Sequence, residues 1–372
     1  MKEFINKNKL FLFVLLIYIF LLVFVSITRP FTQDELQSWL IARDLSPLGI
    51  IKQMKYEGHS FLWYFLLVPF AKTGCSVEIQ RVIPVMSSII AVIVLWKKSS
   101  FDNLLKILIT FSSGLVYYYG NFARPYCFVI PLLFIIASIY KDKDEHPYLY
   151  AILLGILGNV HLITLPIVGI LVIDYWGKYF IKGNKDNNNK KNKNKILSLL
   201  VLLFILSIIL YGIIYGFFFS SIRKSSTLLD TNLIRYWPFK FIKTISTDFM
   251  LFCGYKTNII FVIGMLIVFY LIIRSTIKDF KNSIVFWSFT LFLLLIHSLF
   301  WFSTVLRLYL IIYVLIFWYW INKDNKYLKY SIIIFILLTI PKTYNMIIDN
   351  TRYELSSSYL TTNYINNNIV II

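Results

Sequence analysis

Residues Leu10 to Ile27 read LFLFVLLIYIFLLVFVSI, an apolar run without a charged residue. As an α-helix, a run of this length crosses the roughly 30 Å hydrocarbon layer of a membrane. It follows Lys2, Lys7 and Lys9 as the apolar part of a signal peptide would, but it is long and no small-residue cleavage site follows it. We therefore predict a first spanning helix.

Similar runs recur along the chain, which is 58% hydrophobic and 15% charged, with a mean hydropathy of +0.72. A water-soluble domain needs far less apolar sequence to close its core. The further runs are Phe61–Phe70, Val82–Trp96, Leu104–Tyr119, Cys127–Tyr140, Leu149–Trp176, Ile196–Phe219, Ile259–Ile273, Val285–Phe302, Leu308–Trp320 and Tyr330–Ile340. They predict one all-α polytopic membrane domain over residues 1–372, with about 11–12 transmembrane helices.

One of these runs contains a predicted break. The run from Leu149 to Trp176 is too long for one untilted helix, and Gly158–His161 and Pro166 interrupt it. Two short helices joined near His161 fit this pattern better. The break would place a polar spot at membrane depth.

The basic residues indicate topology. The formal net charge is +19, but the lysines lie in short loops rather than on one face interleaved with aromatic residues, so no nucleic-acid partner is predicted. The positive-inside rule places these loops and the amino terminus in the cytoplasm. The loops are Lys2–Lys9, Lys141–Lys143, Lys182–Lys195, Arg274–Lys281 and Lys323–Lys329. The segments predicted outside are Arg29–Glu57, Tyr117–Pro125, Ser220–Asn258, Ser303–Arg307 and the tail after Thr343.

One further basic loop conflicts with this scheme. Lys97, Lys98 and Lys106 also belong in the cytoplasm by the same rule. That placement needs an odd number of crossings between Glu57 and Lys97, where the sequence has two apolar runs. Either the short run Phe61–Phe70 does not fully span, or this loop breaks the rule.

An Asn/Lys-rich tract divides the chain. Residues 182–195 cannot bury apolar surface and are predicted to form a disordered cytoplasmic loop. The tract separates a first half, residues 1–180, from carboxy-terminal helices over residues 196–345. A short external tail is predicted over residues 346–372.

The adjacent carboxylates Asp34 and Glu35 lie in the segment TQDELQSW, just after the first span. Thr32 with Glu35 three residues later forms a capping box, so the pair can be read as the start of an amphipathic helix in the first external loop. The functional interpretation is that Asp34 accepts a proton from an acceptor hydroxyl while Glu35 orients the site. The residues alone leave both interpretations open.

Other polar residues stand where spans meet loops. Glu57 and His59 lie in YEGHSFLWY, for which an interfacial aromatic belt is the structural alternative. Arg124 lies in NFARPY and Arg307 in STVLRLY, each next to apolar runs. A guanidinium offers a planar fork of donors for a phosphate, although an arginine near an interface can also reach water. Arg81 is a third candidate, whose side of the membrane depends on the conflict above.

In this order, the motifs resemble the GT-C superfamily of membrane glycosyltransferases. The closest likeness is to the branch that contains protein O-mannosyltransferases and aminoarabinose transferases. It covers about the first 180 residues and extends later through topology and Arg307. The matching positions are Asp34-Glu35 for the first-loop acidic motif, Glu57-Gly58-His59 for the loop before the next span, Arg124-Pro125-Tyr126 for the arginine motif and His161 for the mid-helix histidine.

The resemblance implies a sugar donor carried on polyprenyl phosphate, and a glycan, lipid or protein acceptor at the external face of the cell membrane. It implies that Asp34 is the general base of an inverting displacement. Glu35 would assist through hydrogen bonds or by holding a divalent cation; the sequence does not identify a metal. The implied phosphate ligands are Arg124, Arg307 and Arg81. Glu57, His59, Tyr126 and His161 would line the site.

Two other classes of protein remain open. A transporter or flippase of lipid-linked glycans would also need outward arginines and many spans, but the sequence shows no inverted repeat with matching broken helices. A polymerase or ligase of surface polysaccharide would carry a large late external loop, whereas Ser220–Asn258 is modest. This loop is the candidate for acceptor recognition, with a solvated basic loop as the alternative.

Overall fold

The computed structural model describes residues 2–54, 60–177, 180, 189–219, 237, 239–248, 259–299, 304–322 and 324–352. This part of the chain is 88% helical and contains no strand, which confirms the all-α prediction. The helices are α1 (Lys2–Thr28), α2 (Gln33–Asp44), α3 (Pro47–Gln53), α4 (Leu62–Lys72), α5 (Val82–Lys98), α6 (Asn103–Thr110), α7 (Tyr119–Asn121), α8 (Val129–Ile139), α9 (Pro147–Val160), α10 (Leu165–Val172), α11 (Asn189–Phe219), α12 (Ile259–Lys278), α13 (Phe280–Leu299), α14 (Val305–Leu308), α15 (Leu310–Ile321) and α16 (Lys326–Arg352). Residues 239–248 form a further helix.

The apolar helices are those of a multi-pass membrane protein. Among the described residues, six helical stretches are long and apolar enough to cross a membrane: Asn8–Thr28, Val77–Lys98, Asn192–Tyr211, Ile259–Lys278, Phe280–Leu299 and Lys326–Asp349. On α1, Phe13, Leu16 and Phe20 point outward with 63%, 68% and 74% exposure, as lipid-facing side chains do. The six are fewer than the 11–12 predicted spans. Four other predicted runs form five apolar helices of only 10–17 residues, and the run Leu104–Tyr119 is broken.

The predicted break near His161 is confirmed. Helix α9 ends at Val160, His161 is extended (φ −164°, ψ 152°), and α10 begins at Leu165. The Thr164 hydroxyl donates to the Leu157 carbonyl (2.6 Å). A side-chain hydroxyl thus pairs with a backbone carbonyl that has lost its helical hydrogen bond at the break.

The run Leu104–Tyr119 was expected to form one span, and this prediction is wrong. Helix α6 ends at Thr110, and the chain resumes as a π-helical turn over Gly114–Tyr118. The turn forms next to two serines whose hydroxyls donate to backbone carbonyls. The Ser112 hydroxyl donates to the Ile109 carbonyl (2.6 Å), and the Ser113 hydroxyl donates to the Thr339 carbonyl (3.1 Å). Serine competes with regular helix in this way.

Helices α1 and α5 run antiparallel. Lys97, near the end of α5, donates from Nζ to Asn8 Oδ1 at the start of α1 (2.6 Å). At the other end, the Arg81 guanidinium donates to the carbonyl of Arg29, just after α1 (2.7 Å). Lys97 therefore lies on the same side as the start of α1, which we call the basic side.

Helix α4 resolves the topology conflict. It has 11 residues and is about 16 Å long, too short to cross a hydrocarbon layer of about 30 Å. It packs on α2 instead, where Trp63 and Leu67 join Trp39 and Ala42 in an apolar cluster. The short run does not span, so the basic-loop rule holds at Lys97. We call the end of the bundle that carries α2–α4 the loop side.

The other predicted cytoplasmic loops also meet on the basic side. Their contacts are Lys329 Nζ to Asp102 Oδ2 (2.6 Å), Lys195 Nζ to Asp144 Oδ1 (3.3 Å) and Lys281 Nζ to Asp174 Oδ1 (3.9 Å). Exposed pairs of this kind add little stability. Their value is topological, because they join the loops that the positive-inside rule had grouped.

Two predicted boundaries differ from the structure. Helix α11 begins at Asn189, inside the tract predicted to be disordered, and Trp176 Nε1 anchors it by donating to the Lys195 carbonyl (2.9 Å). Residues 181–188 lie outside the described residues. Helix α16 continues to Arg352, past the predicted start of the tail, and residues 353–372 are not among those described.

The placement of α4 predicts a labelling pattern. Cys75 is exposed on the loop side, Ser100 is exposed just after α5 on the basic side, and Cys127 is buried. In a Cys253→Ser background, we expect a membrane-impermeant maleimide to label Cys75 from one side of the membrane. It should reach the thiol of a Cys75→Ser, Ser100→Cys variant only from the other side. A Cys75→Ser, Ser46→Cys variant, whose thiol lies on an exposed residue before α4, should be labelled from the same side as Cys75. Labelling of positions 46 and 75 from opposite sides would mean that α4 crosses the membrane.

Candidate functional site

The two adjacent carboxylates of the first loop have different surroundings. Helix α2 buries Glu35, Ser38, Trp39 and Ala42, a spacing that places all four on one helical face. Glu35 completes the predicted capping box: its Oε2 accepts from the Thr32 amide and hydroxyl, both at 2.8 Å. The predicted helix of the first loop is confirmed.

Glu35 is fully buried and ion-paired with Arg29, which is 1% exposed. The guanidinium approaches both carboxylate oxygens, at 2.6 and 3.0 Å. Glu35 Oε1 also accepts from the Ala123 amide (2.7 Å), and Arg29 also donates to the Asn121 carbonyl (2.8 Å). The pair therefore fastens the end of α1 and the start of α2 to the segment that follows α7.

The donors around Glu35 determine its charge. Burial raises the pKa of its carboxyl, but the Arg29 guanidinium and the amides of Thr32 and Ala123 outweigh burial, so the net shift is downward. Five donor contacts occupy its two oxygens. The predicted alternative in which Glu35 holds a divalent cation therefore has no support in this geometry. No group of three or more His, Cys, Asp or Glu side chains comes together within the described part of the chain.

Asp34 points away from this buried pair. Its side chain is 66% exposed, and its Oδ2 lies 3.5 Å from the guanidinium of Arg124. The same guanidinium donates to the Asp34 carbonyl (3.1 Å). Arg124 has the extended backbone that a following proline favours, which carries its side chain from Pro125 back over α2. The predicted base and one predicted phosphate ligand are thus neighbours.

Tyr126 joins two other predicted residues. Its hydroxyl is 2.9 Å from His161 Nε2 and accepts from Arg307 Nε (3.2 Å). The Tyr126 and His161 rings stack, with centroids 4.6 Å apart. Residues from three distant parts of the sequence meet at one hydroxyl.

Hydrogen bonding assigns the proton on the imidazole. His161 Nδ1 accepts from the Ile163 amide (3.2 Å), so the ring proton of the neutral form lies on Nε2 and donates to Tyr126. The Tyr126 oxygen then accepts from both His161 and Arg307. Its own O–H proton remains available for an acceptor such as a phosphate oxygen.

We call Asp34, Arg124, Tyr126, His161 and Arg307 the loop-side cluster. Only Pro125 separates Arg124 from Tyr126, so the two halves of the cluster lie within about 7 Å along the backbone. The cluster combines an exposed carboxylate with two guanidinium groups and a phenol. This set can bind an anion and accept a proton next to it.

One of the remaining predicted site residues stands apart from this cluster, and two are not among the described residues. Arg81 lies on the loop side, but its guanidinium pairs with Glu78 and donates to the carbonyls of Ser26 and Arg29 at the end of α1. No described contact joins it to the cluster. Glu57 and His59 lie outside the described residues.

Ser60, the first described residue after them, donates from Oγ to the Asn159 carbonyl (2.9 Å). The start of α4 is thereby held beside the break that carries His161.

No family model, curated protein or solved structure matches this chain.

Proposed function

We propose that this protein is a membrane glycosyltransferase of GT-C type. It moves a sugar from a polyprenyl-phosphate donor onto a hydroxyl of a glycan, lipid or protein acceptor. The reaction takes place on the loop side, which the positive-inside rule places outside the cell. The observation that carries the proposal is the 3.5 Å contact between the exposed Asp34 carboxylate and the Arg124 guanidinium.

The proposed reaction is a single displacement. The acceptor oxygen loses its proton to Asp34 and forms a bond to the anomeric carbon, while the bond from that carbon to the phosphate oxygen breaks. The departing polyprenyl phosphate gains negative charge. Arg124, Arg307 and the Tyr126 hydroxyl proton face that charge as donors, which is the arrangement that stabilises a developing oxyanion.

Glu35 and His161 act as positioning residues in this scheme. Glu35 holds the Ala123 amide, next to Arg124, against the first turn of α2, next to Asp34. The base and the guanidinium thereby keep a fixed separation. His161 fixes the Tyr126 hydroxyl through its Nε2 proton.

The alternatives fit the cluster less well. A transporter or flippase gains nothing from a carboxylate beside its anion site, because Asp34 competes with the phosphate for Arg124. A polysaccharide polymerase or ligase needs the arginines, but the expected features of that class do not include a carboxylate such as Asp34 in the first loop. The contact between Asp34 and Arg124 therefore favours a glycosyltransferase, in which a general base lies next to the phosphate-binding arginine.

The direct test uses purified protein in liposomes and a panel of radiolabelled polyprenyl-phosphate sugars, with total membrane extract as the source of acceptors. We expect one donor to release polyprenyl phosphate and to pass its label to an acceptor. Empty liposomes provide the background rate. If no donor reacts while a known transferase turns over the same panel, the proposal is wrong.

Tyr126→Phe tests the centre of the cluster. Phenylalanine keeps the ring that stacks on His161 but removes the hydroxyl that accepts from His161 and Arg307, so both donors lose their partner. We expect the transfer rate to fall by about 10²-fold, as for other lost oxyanion donors. Tyr150→Phe is the matched control, since the buried Tyr150 hydroxyl has no partner within the described structure. Equal rates for the two variants would contradict the assignment of Tyr126.

A further inference from the structure

A second polar pair lies where helix 239–248 meets α13. Asp248 Oδ2 and His297 Nδ1 are 3.0 Å apart, and the two residues are only 4% and 5% exposed. Trp237 Nε1 donates to Ser298 Oγ (3.2 Å), which gives the segment a second contact with the end of α13. Neither Asp248 nor His297 belongs to the loop-side cluster.

Each member of this pair keeps a buried polar atom without a hydrogen bond. These atoms are Asp248 Oδ1 and His297 Nε2, which have no partner among the residues that the structure describes. Native proteins seldom leave a buried polar atom unpaired unless a ligand or water satisfies it. Two such atoms on one ion pair indicate a missing partner.

Asp248 lines an apolar cavity of about 190 Å³ between α12, α13, α15 and α16. This volume exceeds the roughly 150 Å³ at which a hydrocarbon-lined cavity accepts a benzene-sized molecule. The other polar lining groups are satisfied: Thr290 donates to the Phe286 carbonyl and Trp287 Nε1 to Thr276, both at 2.9 Å. Asp248 is therefore the polar end of an otherwise apolar space.

The cavity borders the lipid-facing surface. Phe269 on α12 lines it and is 54% exposed, within the apolar outer face of a helix long enough to span. Leu294 lines the cavity from α13, and His297 lies one turn further along the same helical face. The outer part of the cavity opens on this apolar face, while the Asp248 carboxylate lines its loop-side end and contacts the His297 imidazole just beyond.

We propose that this cavity binds a membrane lipid alcohol, with its chain among the apolar walls and its hydroxyl at Asp248 Oδ1 and His297 Nε2. The Asp248 carboxylate accepts a hydrogen bond from Nδ1–H, so Nε2 is a donor in the imidazolium form of the pair. A hydroxyl is donor and acceptor at once, so it accepts from Nε2–H of that form and donates to Asp248 Oδ1. An anionic head group would meet the charge of Asp248. A bare hydrocarbon would leave both polar atoms unpaired. This site goes beyond the proposed glycosyl transfer.

The test is photolabelling of the full-length protein in phosphatidylcholine nanodiscs. The probe is a long-chain primary alcohol with a diazirine in its chain, and the comparison probe is its methyl ether, which has lost the donor. Adducts are mapped by mass spectrometry. No sugar donor is present, so the result does not depend on whether the chain transfers sugar.

We expect the alcohol to label cavity-lining residues about tenfold more than the ether. Asp248→Leu should lower the alcohol to the level of the ether without changing labelling by the ether, and Ser246→Ala, an exposed change on the same helix, should alter neither. Thr290→Trp fills the cavity and should abolish labelling by both probes even where Asp248→Leu fails to fold. Equal labelling of the wild type by both probes, or no adduct on the lining residues, would overturn the proposal.

Discussion

Asp34→Asn is expected to lower the rate of sugar transfer by about 10²–10⁴-fold, the range that loss of a general base costs. Asparagine has the same size, and the backbone carbonyl that accepts from Arg124 is unchanged. The amide cannot take a proton from the acceptor hydroxyl. The measurement is the initial rate at saturating donor, with equal amounts of each variant in the liposomes.

Asp44→Asn is the matched control. Asp44 ends the same helix, is 55% exposed and pairs with the adjacent Arg43 at 2.7 Å. Its replacement removes the same charge from the same helix, at a distance from the cluster. We expect unchanged activity. An Asp34→Asn variant that transfers sugar as fast as this control would leave Asp34 no catalytic role and would restrict the acidic segment to helix capping.

Glu35→Ala is expected to destabilise the protein by about 3–5 kcal/mol, because it leaves the buried Arg29 guanidinium without its counter-ion. The amides of Thr32 and Ala123 lose their acceptor as well. Whole proteins are stable by only about 5–15 kcal/mol, so a large part of the stability would go. The measurement is the temperature at which detergent-solubilised protein loses its monodisperse elution peak.

Two controls separate this effect from general sensitivity. Glu78→Ala removes a 60% exposed glutamate that also pairs with an arginine, and it should change the midpoint little. A Glu35→Met, Arg29→Met double variant should recover part of the loss, because no unpaired buried charge remains. A Glu35→Ala midpoint equal to that of Glu78→Ala would mean that the buried pair does not hold the first loop.

The same pair predicts a pH dependence. The pKa of Glu35 is lowered in the folded protein, so the folded state binds its proton less tightly than the unfolded state does. Its stabilisation is complete above the ordinary glutamate pKa of about 4.3 and is lost as the pH falls through the lower pKa of the folded protein. The midpoints of wild type and Glu35→Ala should converge in that acidic range.

Local signals in the sequence predicted several features that the structure confirms. The capping box at Thr32 and Glu35 depends on residues three apart, and the break at His161 depends on glycine, asparagine and proline within a few positions. The prediction that the basic loops lie on one side of the membrane domain depended only on where the basic residues stand in the sequence. The catalytic roles assigned to the cluster remain predictions.

Long-range partners could not be read from the sequence. The apolar pattern marks Arg29 only as the start of a loop. An arginine at the end of a span, six residues before Glu35, is nevertheless a signal from which the ion pair can be predicted. Arg81 is a third candidate phosphate ligand in the sequence, but folding places it against the carbonyls that end α1. Asp248 and His297 are 49 residues apart, and neither stands in a recognisable motif.

The buried ion pair also constrains how the protein is made. Glu35 and the Ala123 amide that it accepts from are 88 residues apart. A ribosome adding roughly 5–20 residues per second needs about 4–18 s to synthesise that interval. During this time the ends of α1 and α2 have been made but lack their partner, and their charges must stay hydrated at the membrane surface. A defect at Arg29 or Glu35 should therefore spare insertion of the first helix and stall assembly only after α7 has emerged.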